Sequence, residues 1–279
     1  MGVRRAVELA ASEARIKDGE VYTLGPLVHN PKVLDDLYRL GVQTLDKLPL
    51  NLEGSSLVIR AHGVSPAVEK DLCGRGAHIV DATCPIVKAS QMKAEELSRA
   101  GYRLFLAGEA RHAEIEGILG YVQSGGSSFC EVVGGAREAG EAAKKLYGTE
   151  TDAKTALLGQ TTISEKEYRA IGDAIKLFFP NLEIIQTICT ATTERQKALR
   201  ELLNQTDAVI IAGGKESANT RRLLAIAQES RKPCALAEDA GEIPLSFYSY
   251  GAVGLCAGAS APDSVIDEIE QKLSETHFA

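Results

Sequence analysis

The chain of 279 residues has no tryptophan, only 5% aromatic residues and no cluster of Lys and Arg. Its 31 basic side chains face 38 acidic ones, for a net charge of −7 and a pI near 5.4. With neither a basic track for a phosphate backbone nor aromatics to stack on bases, nucleic acid is excluded as an expected partner. Long apolar runs are missing too. The longest are strand-sized and broken by Gly or polar residues, so no membrane span is expected. No signal-peptide pattern is visible, and the six cysteines, at 73, 84, 130, 189, 234 and 256, have no paired spacing. These absences exclude a disulfide framework and point to a reducing cytoplasm. An anionic ligand must then be held by local donors rather than by a general positive field.

The chain does have a large supply of apolar residues, 44% against 25% charged. That is enough for a sizeable core, and the length predicts two or three compact units. Met1 to Ala10 reads as a helix where an α/β unit would lead with a strand. Glu20 to Leu24 reads as a strand, then a loop in which Asn30 caps a helix with Pro31 at its first position. Ser56 to Ala61 is a near-continuous apolar strand of the buried parallel type, and Ser65 caps the helix after it. Strands over 102–108, 155–159, 208–212 and 252–256 each run into small and polar residues and then a helix. Ser164 and Glu167 form a capping box. The period is about fifty residues, read as one strand and one helix per repeat.

Two stretches stand out. Ile79-Val80-Asp81-Ala82-Thr83-Cys84-Pro85 reads as a strand carrying a cysteine to the mouth of a helix, with Pro85 at the first helical position. Ile184 to Cys189, leading into Thr190-Ala191-Thr192-Thr193-Glu194, repeats the arrangement. A side chain just ahead of a helix faces unpaired N–H groups, a setting suited to a metal ligand. A single cysteine in such a place is as often a buried structural residue. Two in equivalent places favour ligation. The remaining cysteines, 73, 130, 234 and 256, carry no motif and read as packing residues.

In open α/β sheets ligands bind beyond the carboxyl ends of the strands. His29, His62, His112, Glu114, Thr161, Ser217, Asn219 and Ser260 all fall there. Taken singly, each is more often a cap or a satisfied polar group; their shared placement makes them candidate site residues. Cutting at the two cysteine stretches gives three α/β domains, 1–84, 85–188 and 189–279, without low-complexity linkers.

Six motifs together carry a family resemblance: Ala61-His62-Gly63-Val64-Ser65, Asp81-Ala82-Thr83-Cys84-Pro85, His112-Ala113-Glu114-Ile115-Glu116-Gly117, Gln160-Thr161-Thr162, Cys189-Thr190-Ala191-Thr192-Thr193 and Ala257-Gly258-Ala259-Ser260-Ala261-Pro262. Over essentially its whole length the chain resembles the LytB family of 4-hydroxy-3-methylbut-2-enyl diphosphate reductases. The resemblance implies three similar α/β domains with mainly parallel sheets, in pseudo-threefold arrangement around a 4Fe-4S cluster. It also implies a two-electron reductive loss of the substrate hydroxyl, giving isopentenyl and dimethylallyl diphosphate. Cys84 and Cys189 would ligate the cluster. Glu114 would be the acid, with Glu116 a structural carboxylate, and Thr161 would position the hydroxyl or a water. His29, His62, His112, Ser217, Ala218, Asn219 and Ser260 would bind the allylic diphosphate, Ala218 through its backbone N–H. A small ferredoxin or flavodoxin is the implied electron donor.

One departure matters. The family opens with a strand and Gly-Phe-Cys-x-Gly-Val-x-Arg-Ala, and Met1-Gly2-Val3-Arg4-Arg5-Ala6 matches only the part after that cysteine. A start placed too far downstream, a trimmed chain and a degenerate protein all account for this, and retention of every other motif favours the first two. The alternative function is a non-catalytic diphosphate-binding relative that has lost the first cluster cysteine.

Overall fold

The computed structural model describes residues 2–47, 49–149 and 154–275. The chain opens with α1 (Gly2–Ile16), β1 (Val21–Leu24), α2 (Pro31–Arg39), β2 (Val42–Leu45), β3 (Ser56–Ile59), α3 (Pro66–Gly74) and β4 (His78–Asp81). It continues through α4 (Pro85–Arg99), β5 (Arg103–Ala107), α5 (Ala113–Gly125), β6 (Cys130–Val133), α6 (Ala136–Tyr147), β7 (Thr155–Gly159), α7 (Glu165–Lys176) and β8 (Glu183–Ile184). The last third holds α8 (Thr190–Gln205), β9 (Ala208–Ala212), α9 (Ala218–Glu229), β10 (Cys234–Ala237), β11 (Val253–Ala257) and α10 (Asp263–Glu275).

All strand pairs are parallel and fall into three sheets, ordered β2-β1-β3-β4, β6-β5-β7-β8 and β10-β9-β11. The first two orders are the same, and the third repeats their first three places. Among the described residues it is the third sheet, not the first, that has three strands. The inner strands β3, β7 and β9 are buried at every residue, as their continuous apolar runs dictate. Apolar helix faces close over them: Ile171 and Ile175 of α7 share a core with Phe105 and Leu157, and Leu199 and Leu223 of α8 and α9 share one with Val209 and Ile211.

The chain divides into two compact units, one of Met1–Leu27 with Gly41–Cys189 and the other of Val28–Leu40 with Thr190–Ala279. Helix α2, although it links two strands of the first sheet, thus belongs with the C-terminal unit. No described helix is long and apolar enough to cross a membrane.

The expected caps are present. Asn30 and Ser65 accept the N–H groups of Val33 and Val68, and the Ser164–Glu167 capping box is complete. The fifty-residue period is corrected: each such interval holds two strands, because β2, β6 and β10 are four-residue edge strands that are easily passed over; β2 and β6 include polar residues, and β10 is apolar but too short to stand out. The stretch before Cys189 is also less strand-like than expected. Beyond Ile184 the Tyr168 hydroxyl donates to the carbonyls of Leu157 and Ile185 at 2.8 and 2.7 Å, and Gly159 N–H donates to Thr187 Oγ1 at 2.8 Å. Past the backbone bond from Ile185 N–H to the Leu157 carbonyl, side chains take over from the ladder.

Candidate functional site

Each sheet sends polar residues out of the carboxyl ends of its two inner or equivalent strands. In the first unit the loop after β3 carries His62, the loop after β5 ends at His112 with Glu114 in the first turn of the following α5, and the loop after β7 carries Gln160 and Thr161. His112 is the cap of α5, its Nδ1 accepting the N–H of Glu114 at 3.2 Å. The imidazoles of His62 and His112 meet edge to face, centroids 5.2 Å apart.

Glu114 lies inside this group, 2% exposed. Thr161 donates its N–H to Glu114 Oε1 at 2.6 Å and its hydroxyl to Oε2 at 3.0 Å. Burial pushes the carboxyl up to about 7, against the two Thr161 bonds, which favour the charged form. A carboxyl that holds a proton near neutrality, in a fixed orientation, can serve as a general acid. Gln160 braces the same loop: its Oε1 accepts Glu109 N–H at 3.0 Å and its Nε2 donates to Thr162 Oγ1 at 2.9 Å. Gly108 is needed there, because a Cβ would lie 2.8 Å from Gln160 Oε1. Glu116 has a different neighbour. It acts on the half-buried Arg60, whose pKa is lowered by burial and raised by the Glu116 charge.

The two cysteines are held alike. Cys84 N–H donates to the carbonyl of Ala61 at 2.9 Å, and Cys189 N–H to that of Thr161 at 3.0 Å. Ala61 and Thr161 each lie two residues beyond equivalent strands, β3 and β7. Cys84 is the residue before α4 and makes no side-chain capping bond, which leaves its Sγ available as a ligand. Gly2 opens α1 against it: a Cβ on Gly2 would lie 2.6 Å from Cys84 Sγ. Among the described residues no group of three or more His, Cys, Asp and Glu is gathered to hold a metal. Of the other cysteines, 130, 234 and 256 are half-buried, and burial pushes Cys130 up to about 12. Cys73 is exposed rather than packed, because it lies on the outer side of α3.

In the second unit β9 and β11 carry the remaining candidates. Ser217 caps α9, accepting Thr220 N–H at 3.4 Å. Ala218 and Asn219 form the first turn of that helix, and Ser260 comes after β11. His29 joins them through its backbone: a Cβ on Gly214 would fall 1.7 Å from the His29 carbonyl oxygen, so only glycine permits the approach. Asn219 Nδ2, Ser260 Oγ, Thr220 Oγ1 and Asn30 Nδ2 are buried without a hydrogen-bond partner among the described residues. Buried polar atoms are ordinarily satisfied, so this concentration at two strand ends marks a place for a polar ligand. Thr220 and Asn30 were not expected from sequence as more than helix residues. The signal for Thr220 was its place three residues after a Ser cap. A cavity of about 470 Å³ between α8, β11 and α10, lined by Leu202, Leu255, Ile266 and Leu273, holds none of the candidates.

Comparison with known proteins agrees with this layout. The family model described as LytB protein matches residues 1–274. The 4-hydroxy-3-methylbut-2-enyl diphosphate reductase of Treponema denticola is 43% identical over 98% of this chain and 95% of its own, and that of Aquifex aeolicus is 37% identical over 98% and 92%. A solved structure of (E)-4-hydroxy-3-methyl-but-2-enyl diphosphate reductase, the terminal enzyme of the non-mevalonate pathway, is 37% identical, covers 99% of this chain and 95% of that one, and has a TM-score of 0.72. The structure of the E-1-hydroxy-2-methyl-but-2-enyl-4-diphosphate reductase from Plasmodium falciparum, 25% identical, covers 97% and 83%, with a TM-score of 0.89. With three parallel α/β sheets, the motifs at their strand ends and a match along nearly its whole length, the chain belongs to the LytB family.

Proposed function

We propose that this chain is an oxidoreductase of the non-mevalonate isoprenoid pathway that reduces 4-hydroxy-3-methylbut-2-enyl diphosphate to isopentenyl and dimethylallyl diphosphate. The reaction takes two electrons and two protons: the C–O bond breaks, one proton leaves with the hydroxyl as water, and the other ends on carbon. The observation that carries this reading is Glu114, buried, bound at both oxygens by Thr161 and pushed up to about 7. A proton held there at neutral pH is the one a departing hydroxyl requires.

Thr161 fixes the carboxyl orientation, and its hydroxyl stands where it can pass a proton between Glu114 and the substrate oxygen or a water. His62 and His112 supply further donors to the substrate. In the second unit, Asn219, Ser260, Ser217 and the N–H of Ala218, with His29, suit a diphosphate, because a helix N-terminus and neutral donors bind phosphoryl oxygens without a large positive field. Cys84 and Cys189 suit ligation of a 4Fe-4S cluster, each N–H being pinned and each side chain standing at a helix mouth. When bound, such a cluster supplies the electrons and an iron able to act as a Lewis acid. The composition fits a cytoplasmic enzyme, the family resemblance implies a small ferredoxin or flavodoxin as its electron donor, and the three domains 1–84, 85–188 and 189–279 fit the three sheets.

Iron and sulfide analysis alongside anaerobic turnover tests the reading. Iron and product are expected from the wild type, with both lost in Cys84→Ser and Cys189→Ser. Diphosphate binding with neither iron nor product would mark a non-catalytic relative instead.

A further inference from the structure

Thr220 is fully buried, and its hydroxyl has no hydrogen-bond partner among the described residues. It stands in the first turn of α9, next to Asn219, and its N–H is tied to the Ser217 cap. Its hydroxyl is wedged between two glycines that end neighbouring strands. Ala212 of β9 pairs with Ala257 of β11, so Gly213 and Gly258 lie side by side just beyond the sheet. Gly258 N–H donates to the Ala212 carbonyl at 2.7 Å. A Cβ on Gly213 would lie 2.8 Å from Thr220 Oγ1, and a Cβ on Gly258 2.2 Å from it. Gly213 also has φ +144, a conformation that L side chains rarely adopt. The threonine thus occupies the space that both glycines vacate.

One of these loops leads to Ser217 and Asn219, the other to Ser260, two residues past Gly258. Asn219 Nδ2 and Ser260 Oγ, reached by these two segments, are like the Thr220 hydroxyl buried without a hydrogen-bond partner among the described residues. The side chain that fixes the spacing between the glycines therefore fixes the spacing between the donors. A diphosphate presents two phosphoryl groups at a set separation, and a single phosphate presents one. Only the former is sensitive to that spacing.

We infer that Thr220 is a positioning residue that sets the separation of the Ser217–Asn219 helix start from Ser260 and thereby selects a diphosphate over a monophosphate. This rests on the reading of the second unit as the diphosphate site. A methyl group in place of the hydroxyl is larger and presses the two glycine loops apart. Serine keeps the hydroxyl and the spacing.

The test is calorimetric titration of the purified protein with inorganic diphosphate and, separately, inorganic phosphate. For Thr220→Val, diphosphate binding is expected to weaken roughly tenfold or more while phosphate binding changes less than about threefold. Thr220→Ser should keep the wild-type ratio. Gly258→Ala, which intrudes on the same hydroxyl from the other strand, should narrow the ratio as Thr220→Val does, and it stands in if that variant does not fold. An unchanged ratio in Thr220→Val or Gly258→Ala would overturn the proposal, as would an equal loss for both ligands. Asn219→Ala separates the two readings: if it binds diphosphate like the wild type, the site itself is misplaced. If it weakens binding while Thr220→Val keeps the ratio, only the role of Thr220 fails.

Discussion

Thr161 donates to both oxygens of Glu114, its N–H at 2.6 Å and its hydroxyl at 3.0 Å. The same residue accepts the N–H of Cys189 on its carbonyl. One loop residue beyond β7 therefore fixes both the proposed acid and a proposed cluster ligand. The equivalent residue beyond β3, Ala61, likewise holds Cys84 through its carbonyl, but it has no hydroxyl to add a second, side-chain bond to a carboxylate.

Glu114→Gln keeps the volume, and its amide oxygen can still accept the Thr161 N–H while its NH2 donates to the Thr161 hydroxyl, but it has no acidic proton. Turnover is expected to fall by about 10² to 10⁴, with substrate affinity and iron content retained. Steady-state kinetics beside a binding titration measures both, and near-normal kcat would remove Glu114 from the mechanism. Glu116→Gln should act more weakly, through Arg60.

Thr161→Val takes away one of the two bonds that favour the charged carboxylate and leaves the backbone N–H. The Glu114 carboxyl should then rise further above its already elevated value near 7. Because the acid works protonated, the alkaline limb of the pH–rate profile should move to higher pH while kcat drops. A limb that stays in place would show that another group sets it.

Stability carries the same signature. The native carboxyl titrates near 7 and the unfolded one near the ordinary 4.5, so between these values the native state binds more protons than the unfolded chain. Stability due to this group is therefore present at low pH and lost as pH rises from about 4.5 to about 7, by on the order of 3 kcal/mol at about 1.4 kcal/mol per unit. Urea unfolding of metal-free protein at several pH values should show this decline, and Glu114→Gln should flatten it. An equal slope in the variant would contradict the assignment.

Asn219→Ala and Ser260→Ala should each weaken substrate binding by about 1 to 3 kcal/mol and leave the iron spectrum unaltered. Isothermal titration decides this, and wild-type affinity in both variants would move the diphosphate elsewhere.

Much of this was legible because local rules agreed with the fold. Asn30, Ser65 and Ser164 cap helices as their sequence contexts require, and β7 and β9 are unbroken apolar runs. The edge strands β2, β6 and β10 were missed because an edge needs only one buried face and so leaves a weak pattern. The grouping of α2 with the C-terminal unit has no local signal at all. Among the candidate site residues, position beyond a strand end singled out Glu114 and Thr161, but not that Thr161 grips both carboxylate oxygens. Thr220 and Gly258 could not be linked from sequence, since their fit depends on the register of β9 with β11.

The most direct measurement is product formed per mole of protein in one anaerobic assay. It compares the protein expressed from its own gene, with any residues encoded ahead of position 1, with its Glu114→Gln variant, both supplied with 4-hydroxy-3-methylbut-2-enyl diphosphate and a reductant. The account predicts many turnovers to isopentenyl and dimethylallyl diphosphate for the wild type and a loss of about 10² or more for the variant. Equal product from both, or none from an iron-loaded wild type that binds the substrate, would contradict it.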